Sequence, residues 1–167
     1  MVALNDLELD HLAARLARVG ITDVRPLQGG ASSLTYAATF ANRRAVVKVA
    51  PPGVMPTQHR DVLRQARMIR ALGGAAVPVP EVLFQDEGDP PDVPPLFVMS
   101  HVDGASVEPL FDRDATTALA TMSERLRNGA RVMAALHCLE PSRMGFGAEP
   151  IAGPAQEVER WCRTLRT

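Results

Sequence analysis

Three apolar runs, Val24–Leu27, Leu34–Phe40 and Arg44–Val49, follow one another with only a few residues between them. Each alternates or is enriched in β-branched residues, so each reads as a strand. The gaps are the small-residue turn Gly29–Ser33 and a turn at Ala41–Arg43 that contains Asn42. Parallel strands need a crossover of a dozen or more residues, so these connections permit only an antiparallel meander.

The rest of the chain fits around that meander. Residues 5–19 predict an amphipathic helix with Asn5 or Asp6 as cap, a Leu9, Leu12, Leu16 and Val19 stripe, and Gly20 as stop. Pro51, Pro52, Gly53 and Pro56 separate the third strand from a helix expected to start near Thr57 and to end at Gly73-Gly74. A fourth strand is expected around Glu81–Asp86, a polar, proline-rich loop over Asp86–Pro95, and a short buried strand at Leu96–Met99. Helices follow at about 114–138 and 154–166. Strands first and helices last predict an α+β chain in which a sheet-rich lobe leads into a helical one.

Composition narrows the function classes. The 167 residues are 46% hydrophobic and carry a net charge of −1, which offers no general attraction for nucleic acid or anionic membrane. Five Phe, one Tyr and one Trp are too few for a platform that stacks single-stranded nucleic acid. No run approaches the ~20 apolar residues that cross a bilayer, and Asp6, Glu8, Asp10, Arg15 and Arg18 leave no apolar signal segment. The expected compartment is the cytoplasm. Cys138 and Cys162 are expected to be buried or half-buried free thiols rather than a disulfide or a zinc site.

Lys48 is out of character in its strand. It lies among Ala45, Val46, Val47 and Val49, and by two-residue alternation it shares a face with Val46 while Val47 and Val49 face the other way. A lysine held in an apolar sheet calls for an anion, although an edge lysine reaching water is the plain alternative. On the following helix Val62, Gln65, Ile69 and Leu72 fall on one stripe, which places Gln65 inward, toward Lys48, with Arg60, Arg64 and Arg67 solvated. The Gly29–Ser33 turn lets backbone N–H groups approach a phosphate, or is a plain hairpin. The strand Leu96–Met99 runs into Ser100-His101-Val102-Asp103-Gly104, whose backbone could read a purine edge if it joins two lobes.

Together these pieces resemble the aminoglycoside phosphotransferase family. The matching segments are Leu27–Ser33, Val46–Val49, Arg64–Leu72, Val77–Pro80, Leu96–Met99, Val102–Gly104 and Met133–His137. The resemblance implies a protein-kinase-like lobe over residues 1–99 with a five-stranded antiparallel sheet, a connector at 100–104, and the start of a helical lobe over 105–167. It implies ATP as the nucleotide, with Gly29, Gly30, Ser32 and Ser33 over the phosphates and Lys48 on the α- and β-phosphates. Ser100 carbonyl and Val102 amide would hold the adenine, with Met99 behind it. His137 matches a family position and is expected to pack structurally.

Two departures qualify what the resemblance implies. The family generally has Glu where this chain has Gln65, and a neutral amide cannot balance the Lys48 charge. The catalytic Asp and the Asn and Asp that hold Mg²⁺ belong C-terminal to the His137 segment, yet no Asp or Asn follows Asn128. The chain by itself is therefore expected to contain no catalytic residue, and Mg²⁺ to bind only with a missing C-terminal part. Its last residues, Trp161–Arg166, lack a helix stop, which favours a truncated kinase. A non-catalytic nucleotide- or protein-binding remnant is the alternative. The acceptor is not specified by the sequence, and half a helical lobe is expected to leave an apolar surface prone to self-association.

Overall fold

A computed structural model of the chain describes residues 6–27, 33–57, 60–104, 119–148 and 153–164. Helix α1 (Asp6–Ala17) is followed by strands β1 (Ile21–Pro26), β2 (Leu34–Phe40) and β3 (Arg43–Val49), helix α2 (Val62–Leu72), and strands β4 (Val82–Asp86) and β5 (Leu96–Ser100). Helix α3 (Leu119–His137), a π-helical turn at Ser142–Phe146 and helix α4 (Pro154–Thr164) complete it. The five strands form one antiparallel sheet in the order β1-β2-β3-β5-β4. The α+β architecture expected from the order of apolar runs is the one observed.

Alternation along the strands divides the core in two. Tyr36, Ala38, Ala45, Val47, Val49, Leu96 and Val98 face one way and bury against Leu12 and Leu16 of α1 and Ile21. Phe97 faces the other way and buries against Val62 and Ala66 of α2 and Ala50, with Ile69, Val82 and Met99 partly buried around it. The inward stripe of α2 is thus Val62, Ala66 and Ile69, an i, i+4, i+7 set. Gln65 is only half-buried on its flank, and Arg64 is half-buried rather than solvated.

Several boundaries differ from the sequence expectation for local reasons. Helix α1 ends at Ala17, because the Val19 and Gly20 N–H groups turn back to Leu16 and Ala17 carbonyls and Gly20 takes a φ of 77°. Val19 is consequently exposed, while Ile21 starts β1 fully buried. The β1–β2 register shifts between Thr22 and Arg25, where Asp23 has a φ of 56°, a bulge that hides the strand's beginning from a pattern search. Helix α2 is capped by Asp61, whose carboxylate accepts the Arg64 N–H at 2.8 Å, not by Thr57. The β2–β3 turn does use Ala41 and Asn42, both with positive φ, and Phe40 pairs with Arg43 across it.

One ion pair ties α1 to the loop before β5. The Arg15 guanidinium donates to Asp86 at 2.8 Å and to the Pro94 carbonyl at 2.7 Å. Desolvation pushes the Asp86 pKa up, but the Gly88 N–H and Arg15 outweigh it and leave it below the usual carboxylate value. A depressed carboxylate stabilises the fold above its unfolded pKa, about 4, and loses that contribution as pH falls through the folded value. Asp86→Asn should therefore cost about 1 kcal/mol at pH 7 and less at pH 3, below the unfolded pKa. Urea denaturation at the two pH values checks it, and an equal cost at both would refute the ionic account.

The helices after the sheet are more open. Leu126, Met133 and Leu136 of α3 and Val158 and Trp161 of α4 are exposed. Cys138 and Cys162 are free, as expected, but exposed rather than buried. His137 is likewise exposed instead of packed. Those expectations assumed neighbours along α3 and α4 that would cover these positions, and the described residues do not provide them. No described helix is long and apolar enough to cross a membrane.

Candidate functional site

Cross-strand register places the site. Thr35, Lys48 and Phe97 are Cα partners across β2, β3 and β5, and Ala37, Val46 and Met99 form the neighbouring row. Residues directly opposite share a face, so Lys48 lies on the α2 side of the sheet, with Phe97 beside it. The Ala37, Val46 and Met99 row is one pleat away, about 7 Å along the strand, and forms a flat apolar strip. A third row, Thr39 and Arg44, lies beyond that strip near the connector.

Lys48 is half-buried, and desolvation lowers its pKa. Among the described residues it forms no hydrogen bond or ion pair. It is also the only lysine among 18 basic residues, the other 17 being arginine. A chain that uses arginine at every other basic position places its one compact ammonium, a flexible three-donor point charge, in mid-sheet. That count is a signal in the sequence that the strand pattern alone did not use.

The flanks of the strip offer hydrogen-bonding groups. Ser33 is buried, and its hydroxyl has no partner among the described residues. At the other end, the Ser100 N–H donates to the Glu81 carbonyl at 2.8 Å, while the Glu81 N–H goes to the Ser100 hydroxyl at 3.0 Å. In a regular narrow pair that second bond would go to the Ser100 carbonyl, so the side chain leaves the carbonyl for another donor. The Val102 side chain is exposed, and its N–H makes no hydrogen bond among the described residues. Gly29, Gly30 and Ser32 lie outside the described residues. The sheet thus brings Ser33, Lys48, Met99, Ser100 and Val102 to one face and its edge, with Gln65 half-buried on the helix that packs there.

A recess of about 120 Å³ opens at the connector end, lined by Arg25, Leu27, Ala37, Thr39, Arg44 and His101 among others. A larger groove, about 610 Å³, runs between α2 and the π-helical turn and is lined by Arg64, Met68, Leu72, Leu136, Met144 and Phe146 among others. None of the candidate residues lines that groove. Size favours it, but chemistry favours the sheet face, where a desolvated cation and unpaired donors converge. Among the described residues no cluster of His, Cys, Asp and Glu could hold a metal ion.

An antiparallel five-stranded sheet with a helix packed on one face, followed by helices, is a kinase-like α+β architecture. Residues 23–167 match the phosphotransferase enzyme family, and the chain belongs to that family. The solved structure of a candidate aminoglycoside phosphotransferase from Ralstonia eutropha JMP134 superposes with a TM-score of 0.69 at 20% sequence identity. That alignment covers 94% of this chain and 46% of the other, so the chain spans about half the length of its structural relative. At this identity the likeness supports the fold. No curated protein matches the chain.

Proposed function

We propose that this chain is the ATP-binding portion of a small-molecule phosphotransferase, one that would transfer the γ-phosphate to a hydroxyl when complete. The observation that carries the reading is Lys48, a half-buried cation without a described counter-ion, set beside Phe97 and the apolar row Ala37, Val46 and Met99. A triphosphate supplies the missing negative charge. Ser33 would donate its unpaired hydroxyl to the phosphates, together with Gly29, Gly30 and Ser32 of the adjoining turn. Ala37, Val46 and Met99 would cover the base, and Ser100 carbonyl and Val102 N–H would bond its edge. On this reading residues 1–99 are the nucleotide lobe, 100–104 the connector, and 105–167 the beginning of a helical lobe.

Bound nucleotide would supply the phosphoryl group, while this chain's own residues bind and orient it. General-base activation of an acceptor and retention of Mg²⁺ require carboxylates, and no Asp or Asn follows Asn128. The 167 residues should therefore bind ATP weakly, partly without Mg²⁺, and should not transfer phosphate. Gln65 favours a second reading, a non-catalytic nucleotide- or protein-binding remnant, because a neutral amide cannot balance Lys48 when no nucleotide is present.

Titration calorimetry of the chain with ATP, adenosine and inorganic triphosphate tests the main reading. Saturable binding of ATP, tighter than of either fragment and without ATP turnover, is the expected result. No saturable ATP binding would remove the nucleotide assignment, and measurable phosphate transfer would remove the claim that the chemistry is incomplete.

A further inference from the structure

Beyond Ser100, Arg44 fastens the connector to the sheet at two points among the described residues, and these points bracket Val102. On one side the Arg44 carbonyl accepts the His101 N–H at 3.2 Å. On the other, the Arg44 guanidinium donates to the Asp103 carboxylate and forms an ion pair with it. The His101 Nδ1 lies 3.4 Å from the same carboxylate oxygen. This contact is not a hydrogen bond, since Nδ1 has no hydrogen-bond partner, and it becomes an ion pair when the imidazole is protonated. Arg44 is itself fixed by the β2–β3 ladder opposite Thr39. Between the two attachments sits Val102, whose N–H makes no hydrogen bond among the described residues.

We propose that Arg44 is a positioning residue: by holding His101 through its backbone and Asp103 through its side chain, it presets the Val102 N–H toward a nucleobase. This rests on the nucleotide-site reading above. Arg44 lies four positions before Lys48 along β3, about 13 Å of strand, so Arg44 acts at the base end and not on the phosphates. The Arg44 and Asp103 side chains are 64% and 79% exposed, so the pair adds little to global stability. Its role is local. A connector amide fixed before binding removes an ordering cost that the ligand would otherwise have to offset.

The test separates the base from the phosphates. Affinities for ATP and for inorganic triphosphate are measured by calorimetry for the wild-type chain and for Arg44→Ala, Asp103→Ala, Lys48→Met and the charge-reversed pair Arg44→Asp with Asp103→Arg. Amide exchange at Val102 is followed by NMR without nucleotide. Arg44→Ala and Asp103→Ala should each weaken ATP about threefold, the scale of an exposed ion pair, leave triphosphate affinity unchanged and speed Val102 exchange. The charge-reversed pair should restore ATP affinity. Equal loss of ATP and triphosphate affinity would reveal a general structural defect and overturn the proposal. If wild type binds ATP, Lys48→Met does not and Arg44→Ala binds as wild type, only the positioning role falls. If wild type does not bind ATP, the nucleotide reading falls and the positioning role with it.

Discussion

Lys48→Met should abolish ATP binding and at the same time raise the melting temperature of the chain. Both effects follow from one feature, the placement of a cation on a half-buried sheet face with no described partner. Desolvation lowers the Lys48 pKa, so the folded chain holds this proton less tightly than the unfolded one. Stability therefore rises with pH from the lowered folded value up to the ordinary lysine value of about 10.4, and the charge is a cost at neutral pH. Methionine keeps the stem's volume and removes the charge, so a higher Tm is expected, with solvent screening of this half-exposed group holding the gain below about 1 kcal/mol. Loss of the ammonium removes the group that would meet the triphosphate, and ATP affinity should fall below detection. A gain in stability coupled to a loss of binding is the pattern of a residue retained for function. Thermal scans with and without ATP check it. A variant that is less stable than wild type and still shifted by ATP would show that Lys48 is a surface lysine packed for stability.

The second large effect concerns the residue opposite Lys48. Phe97 is fully buried and joins Val62 and Ala66 of α2 to the centre of the sheet. Phe97→Ala should cost about 3–5 kcal/mol, from lost burial plus the cavity left behind. A domain's whole stability is about 5–15 kcal/mol, so this change should leave much of the chain unfolded at moderate temperature. Phe97→Leu, which keeps most of the volume, should cost no more than about 1.5 kcal/mol. The midpoint of urea denaturation reads both. A cost below about 1 kcal/mol for Phe97→Ala would mean that α2 does not pack on this face, and the relation of Gln65 to Lys48 would lose its basis.

Much of the sheet was legible because alternation is a local signal. Leu34–Phe40 is the strand its pattern predicts, and β3, β4 and β5 begin or end within one residue of their expected bounds. The facing of Lys48 and Val46 against Val47 and Val49 also followed from alternation, and register confirms it. What the sequence concealed depends on partners far along the chain or on single dihedral angles. The bulge at Asp23 displaced the start of β1, and Asp61 rather than Thr57 caps α2. The insertion of β5 between β3 and β4 is a tertiary choice that strand propensity does not encode. The Arg15–Asp86 and Arg44–Asp103 pairs join residues 71 and 59 positions apart, and nothing local announces them. On α2 the expected stripe holds at Val62 and Ile69, but its buried centre is Ala66 rather than Gln65. For the candidate site, the half-buried place of Lys48 on the α2 face was legible from its setting in an apolar strand, whereas the unpaired Val102 N–H and the Ser100 hydroxyl exchange with Glu81 required coordinates.

The single lysine makes the central claim directly measurable. In a chain labelled with ¹³C at lysine Cε, one signal reports Lys48 alone, apart from the terminal amine, which carries no label. Titrating pH without nucleotide should give a pKa below the ordinary lysine value, in keeping with its desolvation. Saturating ATP should move it upward, because a triphosphate beside the ammonium favours the charged form. A Lys48 signal that titrates at the same pH with and without ATP would contradict the account, since the cation would then have no part in binding a nucleotide.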